Sequence, residues 1–219
     1  MRFAGVIIAL AALSAPAAWA QPQCSEAMIV GRNAFAFHPE SVSTAAVPMA
    51  PPRVKDAEIL VELIGLPNFA KVNALRLTIC QADRIRNAFS STHANGFRYI
   101  IYDPVWADSS PAEFYLTLSH EVGHHFCEHT AGNMPAPWTA ELEADRFGGA
   151  SIKRFETYHG RAFLKDVLDA ATIKYPEKGS LTHPPRALRI EALKKGYETG
   201  SACGSLAPVD QRGLSRGIR

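Results

Sequence analysis

His120-Glu121-Val122-Gly123-His124 sets two imidazoles four residues apart with a carboxylate beside the first. On an α-helix, four residues at about 100° each return to within about 40° of the starting direction, so both rings leave one face and can hold one metal ion. Glu121 stands about 100° round the helix, beside such an ion rather than on it, where a carboxylate can take a proton from water. Two imidazoles leave a tetrahedral ion short of a third protein ligand. Glu141-Leu142-Glu143-Ala144-Asp145 offers one, because Glu141 and Asp145 share a helix face. One of them can ligate while the other accepts the remaining N–H of a ligand histidine. Glu143 lies about 160° from that pair and is expected to face solvent. By themselves these acids also suit the positive end of a helix, and it is the preceding HExxH that favours ligation.

The helix that must carry the pair starts at Ser110-Pro111-Ala112-Glu113: a capping hydroxyl, proline at the first helical position and glutamate at the third. It is predicted to run through about Glu128, with Phe114, Leu118, Val122 and His125 as its buried stripe. Extended in this way it turns His125 towards the core and His129 nearly opposite the ligand pair. Cys127 falls near the ligand face, as a disulfide partner or as a fourth ligand that would close the open coordination position. Further helices are predicted over 139–158, 160–174 and 184–197, and an earlier one from Asp56 to Ile64, stopped by Gly65 and Pro67. Leu75, Leu77 and Ile79 alternate with Arg76 and Thr78 as in a strand; a second strand, Phe97 to Tyr102, is approached through Asn95-Gly96 and left through Asp103-Pro104. The expected fold class is α+β, mainly helical, with a small antiparallel sheet packed on the HExxH helix. His38, His93 and His159 stand outside any spaced group, and Thr182-His183-Pro184-Pro185 reads as a helix start.

A chain of 219 residues, 47% apolar and 20% charged, suits one globular domain. Its 23 basic and 21 acidic residues leave a net charge of +2, which excludes the electrostatic footprint of a nucleic-acid binder. Met1-Arg2, the apolar run Phe3–Leu13 and Ala18-Trp19-Ala20 read as a secretory signal peptide over 1–20. An uncleaved anchor is the alternative, disfavoured by the short run and by Ser14 and Pro16. The expected organisation is then an extended leader over 21–54, the domain over 55–203 and a disordered tail over 204–219. Cys24, Cys80, Cys127 and Cys203 form an even set in an exported chain, which implies disulfides, periplasmic or secreted. Four cysteines allow three pairings; Cys24 with Cys80 and Cys127 with Cys203 is preferred because it joins segments near in sequence.

Taken together, HEVGHHF, ELEADRFGG and THPPRALRIEAL resemble the catalytic core of the zinc metallopeptidases typified by HtpX and the CAAX prenyl proteases, a branch of the gluzincins. Asn87-Ala88-Phe89 and the Arg98-Tyr99-Ile100-Ile101 strand are similar to that family's N-A-F strand and the strand after it, so the resemblance spans about Lys55 to Tyr197. It implies a zincin fold, one Zn2+ per chain held by His120, His124 and Glu141, Glu121 as catalytic base and Asp145 as the orienting carboxylate. It further implies that His183 approaches the metal or substrate and that Arg189 anchors that segment. Without transmembrane helices, the chain looks more like the small exported soluble members. The implied activity is endopeptidase cleavage of exported or envelope proteins, the peptide lying along an edge strand from the Asn87 to Tyr102 region. A zinc-containing binding or quality-control module for unfolded envelope proteins, with little or no proteolysis, is the alternative. The expected partner is a protein or peptide substrate, with neither nucleic acid nor membrane insertion once the signal is removed.

Overall fold

The computed structural model describes residues 49–65, 77–92, 98–129 and 135–200, together with Cys24 and Cys203. The predicted signal peptide, the leader from 21 to 48 apart from Cys24, Leu75, the Asn95-Gly96 turn, Phe97, His38, His93 and the tail lie outside these residues. Along the chain run α1 (Val54–Ile64), β1 (Leu77–Gln81), β2 (Ala88–Thr92), β3 (Arg98–Tyr102), α2 (Pro104–Ser109), α3 (Pro111–Phe126), α4 (Pro137–His159), α5 (Leu164–Lys174) and α6 (Arg186–Thr199). The architecture is α+β and mostly helical. Among the described residues no helix is long and apolar enough to cross a membrane.

β3 is the central strand, parallel to β1 and antiparallel to β2. The sheet is therefore mixed, not antiparallel as expected. β2 reverses at the far edge, and β3, returning beside it, fills the gap next to β1 and so runs with it. Alternation along each strand divides the side chains between two faces. Ile79, Ala88, Ile100 and Tyr102 join the large core against the helices. Cys80, Phe89, Tyr99 and Ile101 form a second cluster with Cys24 and Met49 on the other face. The Cys24–Cys80 disulfide fixes Cys24 there, and Ala50 pairs with Gln81 of β1.

α3 is buried on nearly every side, from Leu116 to Phe126, rather than along one stripe. It lies between the sheet and α4, with α1 and α5 closing the remaining sides. Its first turn departs from the sequence signal: the Ser110 hydroxyl makes no capping bond, and Glu113 pairs with Lys174 of α5 at 2.7 Å. The expected cap chemistry appears one element earlier. The Asp103 carboxylate accepts from the backbone N–H groups of Val105 and Trp106 and starts α2, a helix the strand pattern concealed. α5 begins at Leu164, not Gly160, because Gly160 ends α4 in the left-handed region at φ 62° and Glu156 of α4 accepts the N–H groups of Phe163 and Leu164.

Glycine sets the spacing of the helices around α4. A Cβ on Gly149 would lie 1.8 Å from the Leu193 carbonyl oxygen of α6, and one on Gly196 would lie 1.9 Å from that of Arg146. The two backbones meet with nothing between them, which brings Arg189 of α6 into the interior beside α4. Gly149→Ala should therefore force α4 and α6 apart and cost about 2–3 kcal/mol in urea unfolding. Gly160→Ala, strained only by its positive φ, should cost about 1 kcal/mol. Equal losses at the two positions would contradict this account of the crossing.

Candidate metal centre

Ligand-type atoms of His120, His124 and Glu141 converge within 4.8 Å of one another, all three residues buried. The helical spacing of α3 brings His120 Nε2 and His124 Nε2 to 3.0 Å from each other. The close contact of Gly123 with Ala144 sets α4 against α3, so that Glu141 reaches both rings, with one oxygen 3.4 Å from each Nε2. On the far side of His120, Asp145 Oδ1 lies 2.9 Å from Nδ1. A carboxylate there accepts a hydrogen bond from Nδ1–H, so that in the neutral ring Nε2 is the lone pair facing the cluster.

Asp145 is in turn held by Arg189, whose Nε and Nη2 donate to its two oxygens at 2.7 and 2.9 Å, and by the Tyr175 hydroxyl at 3.0 Å. The guanidinium is wholly buried and stacks 3.8 Å over the Tyr175 ring. Burial alone would raise the Asp145 carboxyl, but Arg189 and His120 outweigh it and hold it below its ordinary value. Burial would likewise lower His120, yet Glu141 and Asp145 on either side push it up to about 9. Glu141 is held well below its ordinary value: the His120 and His124 charges and hydrogen bonds overcome the desolvation that would raise it.

This donor set fits a divalent metal ion. Two imidazole nitrogens and a carboxylate oxygen are a common first shell for zinc in open sites. Glu141 Oε2 is buried and makes no close hydrogen bond; Arg189 Nη2 and His120 Nε2 lie 3.4 Å away and His183 Nε2 3.6 Å, so the oxygen is drawn towards positive charge and has room for a closer cation. The raised His120 says the same electrostatically, since the position favours a positive charge, proton or metal.

Glu121 sits beside the cluster on α3, and its carboxylate is hydrogen-bonded by the Ser90 hydroxyl of β2. Ser90 occupies the helix-facing side of the strand, in register with Ile100. His183 comes in on the loop before α6, its Nε2 3.6 Å from Glu141 Oε2 and its Nδ1 2.8 Å from the Thr182 hydroxyl. That loop is fixed from α4, where the Trp138 indole donates to the Ser180 carbonyl at 2.8 Å. His125 turns into the core as expected, its Nε2 3.1 Å from the Tyr99 carbonyl oxygen, and burial takes its pKa down to about 3.

Two expectations fail together. α3 ends at Phe126, two residues before the predicted end. Glu128 adopts φ 63° and reverses the chain. His129 then donates its backbone N–H to the His124 carbonyl at 2.9 Å, and Glu128 to that of His125 at 3.3 Å, the paired bonds of a Schellman turn. This brings His129 back beside His124 instead of opposite it, their Nδ1 atoms 3.0 Å apart. Glu143, expected in solvent, is buried with Oε2 2.9 Å from His129 Nε2. Cys127 adjoins both residues, but its sulfur is bonded to Cys203. Ser90, His129, Glu143 and Tyr175 are the site's neighbours that the sequence reading did not find. Against protein-family models, curated proteins and solved structures alike, the chain finds no match.

The electrostatics predict a pH effect with a definite sign. His120 is raised from 6.5 to about 9, so its proton stabilises the apoprotein fully below about 6.5, and that contribution is lost as the pH climbs through about 9. The melting temperature of chelator-treated protein should therefore fall across this window. Saturating divalent metal, taking the proton's place, should flatten the fall.

Proposed function

We propose that the chain is an exported zinc-dependent endopeptidase with a gluzincin-like zincin fold, its zinc held by His120, His124 and Glu141. The observation that carries this reading is the buried convergence of those three donors with Glu121 next to them and Asp145 behind His120. The sequence resemblance to the HtpX and CAAX prenyl protease type adds the order of the three motifs. The two disulfides agree with an oxidising compartment.

When bound, zinc supplies Lewis acidity that polarises a scissile carbonyl and makes water nucleophilic near neutral pH. The chain's own residues supply the rest. Glu121 takes the proton of the attacking water and passes it to the leaving amine. Ser90, hydrogen-bonded to one of its oxygens, fixes the orientation of that carboxylate. Asp145 and Arg189 keep His120 in the tautomer that presents Nε2. His183, beside Glu141, is the side chain of the loop before α6 that would approach the metal or the substrate. Among the described residues β2 is an edge strand of the three-stranded sheet, and it carries Ser90, so an extended peptide pairing with it would pass near Glu121. Backbone pairing of this kind reads little side-chain identity, in keeping with cleavage of unfolded exported proteins.

Zinc content and casein cleavage, measured on one preparation, test the reading. Wild-type protein should bind about one zinc and cleave casein until a chelator is added. Glu121→Gln should keep the zinc and lose about 10²- to 10⁴-fold in cleavage, whereas His120→Ala and Glu141→Ala should lose the metal itself. Zinc loss in Glu121→Gln equal to that in His120→Ala would sink the base assignment. Stoichiometric zinc with intact casein would favour the binding module instead.

A further inference from the structure

The two histidines of the cluster differ in what stands behind them. His120 has the carboxylate of Asp145 at Nδ1; His124 has another imidazole, His129, whose far nitrogen faces Glu143. We propose that His129 and Glu143 are positioning residues that act through His124, a Glu143–His129–His124 relay that sets the tautomer of the second metal ligand. The proposal rests on the zinc reading above and names the residues that orient this site.

The tautomers follow from ligation alone. If His124 binds a metal ion through Nε2, its remaining proton sits on Nδ1. That N–H points at His129 Nδ1, 3.0 Å away, which must therefore be a lone pair. The proton of His129 is then on Nε2, where it donates to Glu143 Oε2 at 2.9 Å. Each hydrogen bond in the series then has one donor and one acceptor, and it ends on a carboxylate oxygen that only accepts. The reverse arrangement, with a proton on His129 Nδ1, would face His124 with a donor and move the His124 proton to Nε2, where it blocks the metal.

The chain builds this relay at some cost. Glu128 holds φ 63° without being glycine, and His129 and Glu143 are both buried, a histidine and a carboxylate placed in the interior together. The turn is held at two ends, by the Schellman hydrogen bonds to His124 and His125 and by the Cys127–Cys203 disulfide. Glu143 comes from α4, the same helix that supplies Glu141 and Asp145. One helix therefore provides a ligand and the carboxylate behind each histidine, directly for His120 and through one imidazole for His124.

Two measurements on the full disulfide-bonded protein test the relay. Zinc affinity, by competition with a chelating dye, should fall about 10- to 100-fold in His129→Phe, which keeps the ring's bulk but offers no acceptor. His129→Asn places its Oδ1 where the imidazole Nδ1 stood and should recover most of that loss. Glu143→Gln should weaken zinc in the otherwise wild-type chain and have no further effect in the His129→Asn background, because its action runs through the imidazole. The second measurement needs no variant: imidazole 15N spectra of the zinc-loaded wild type should show His124 as the Nδ1–H tautomer and His129 as Nε2–H. Unchanged affinity in His129→Phe, no rescue by asparagine, or the opposite His129 tautomer overturns the relay while leaving the zinc site standing. Wild-type protein that takes up no zinc overturns the metal centre itself.

Discussion

A guanidinium with no access to solvent is among the most costly groups to place in a protein interior, and Arg189 is tolerable there only because Asp145 accepts from it twice and Tyr175 lies against its face. Most of the interior geometry depends on this pair. Asp145 needs Arg189 to remain ionised at full burial, and an ionised Asp145 is what orients His120. Arg189 in turn reaches the pair only because Gly149 and Gly196 let α6 touch α4 backbone to backbone. Removing one partner of a buried pair leaves the other charge uncompensated, a loss of about 3–5 kcal/mol, so the site and the three-helix crossing stand or fall together.

The parts of this arrangement that regular geometry governs were legible in the sequence. Helical spacing put His120 and His124 on one face of their helix and Glu141 and Asp145 on one face of the next, the HExxH motif suggested that the two faces meet, and the structure brings them together. The preferred cysteine pairing is the one found. What escaped was decided where helices stop. Glu128 reverses the chain without the glycine that usually announces such a turn, so projecting the helix onward sent His129 the wrong way and left Glu143 with no visible partner. The start of α5 depends on a carboxylate of α4, and the hybrid sheet on which strand fills a gap; neither is written in local pattern. Ser90 was hidden for a further reason. A hydroxyl on the inner face of a strand looks like any other small residue until the helix beneath it is known.

The sheet and the helices make different contributions to the interior. The helices supply every charged group of the cluster, and the sheet supplies a largely apolar floor for α3, with polar contacts from Ser90 to Glu121 and from Arg98 and the Tyr99 carbonyl to His125. On its opposite face Cys24 and Met49 pack against Cys80, Phe89, Tyr99 and Ile101. That division keeps the low-dielectric surroundings on the side of α3 away from α4, where they strengthen the electrostatics of the carboxylates and imidazoles without competing with them for hydrogen bonds.

The place of Arg189 late in the chain has a consequence for biogenesis. Polypeptides are made from the N-terminus, so His120, His124, Glu141 and Asp145 are all synthesised well before the cation that balances them, and Cys203, which ties off the turn at Cys127, comes later still. Until α6 docks, Asp145 has no guanidinium and no reason to leave water. The cluster therefore cannot close on a nascent or truncated chain. The order of synthesis thereby delays assembly of the cluster until α6 has been made and has docked on α4.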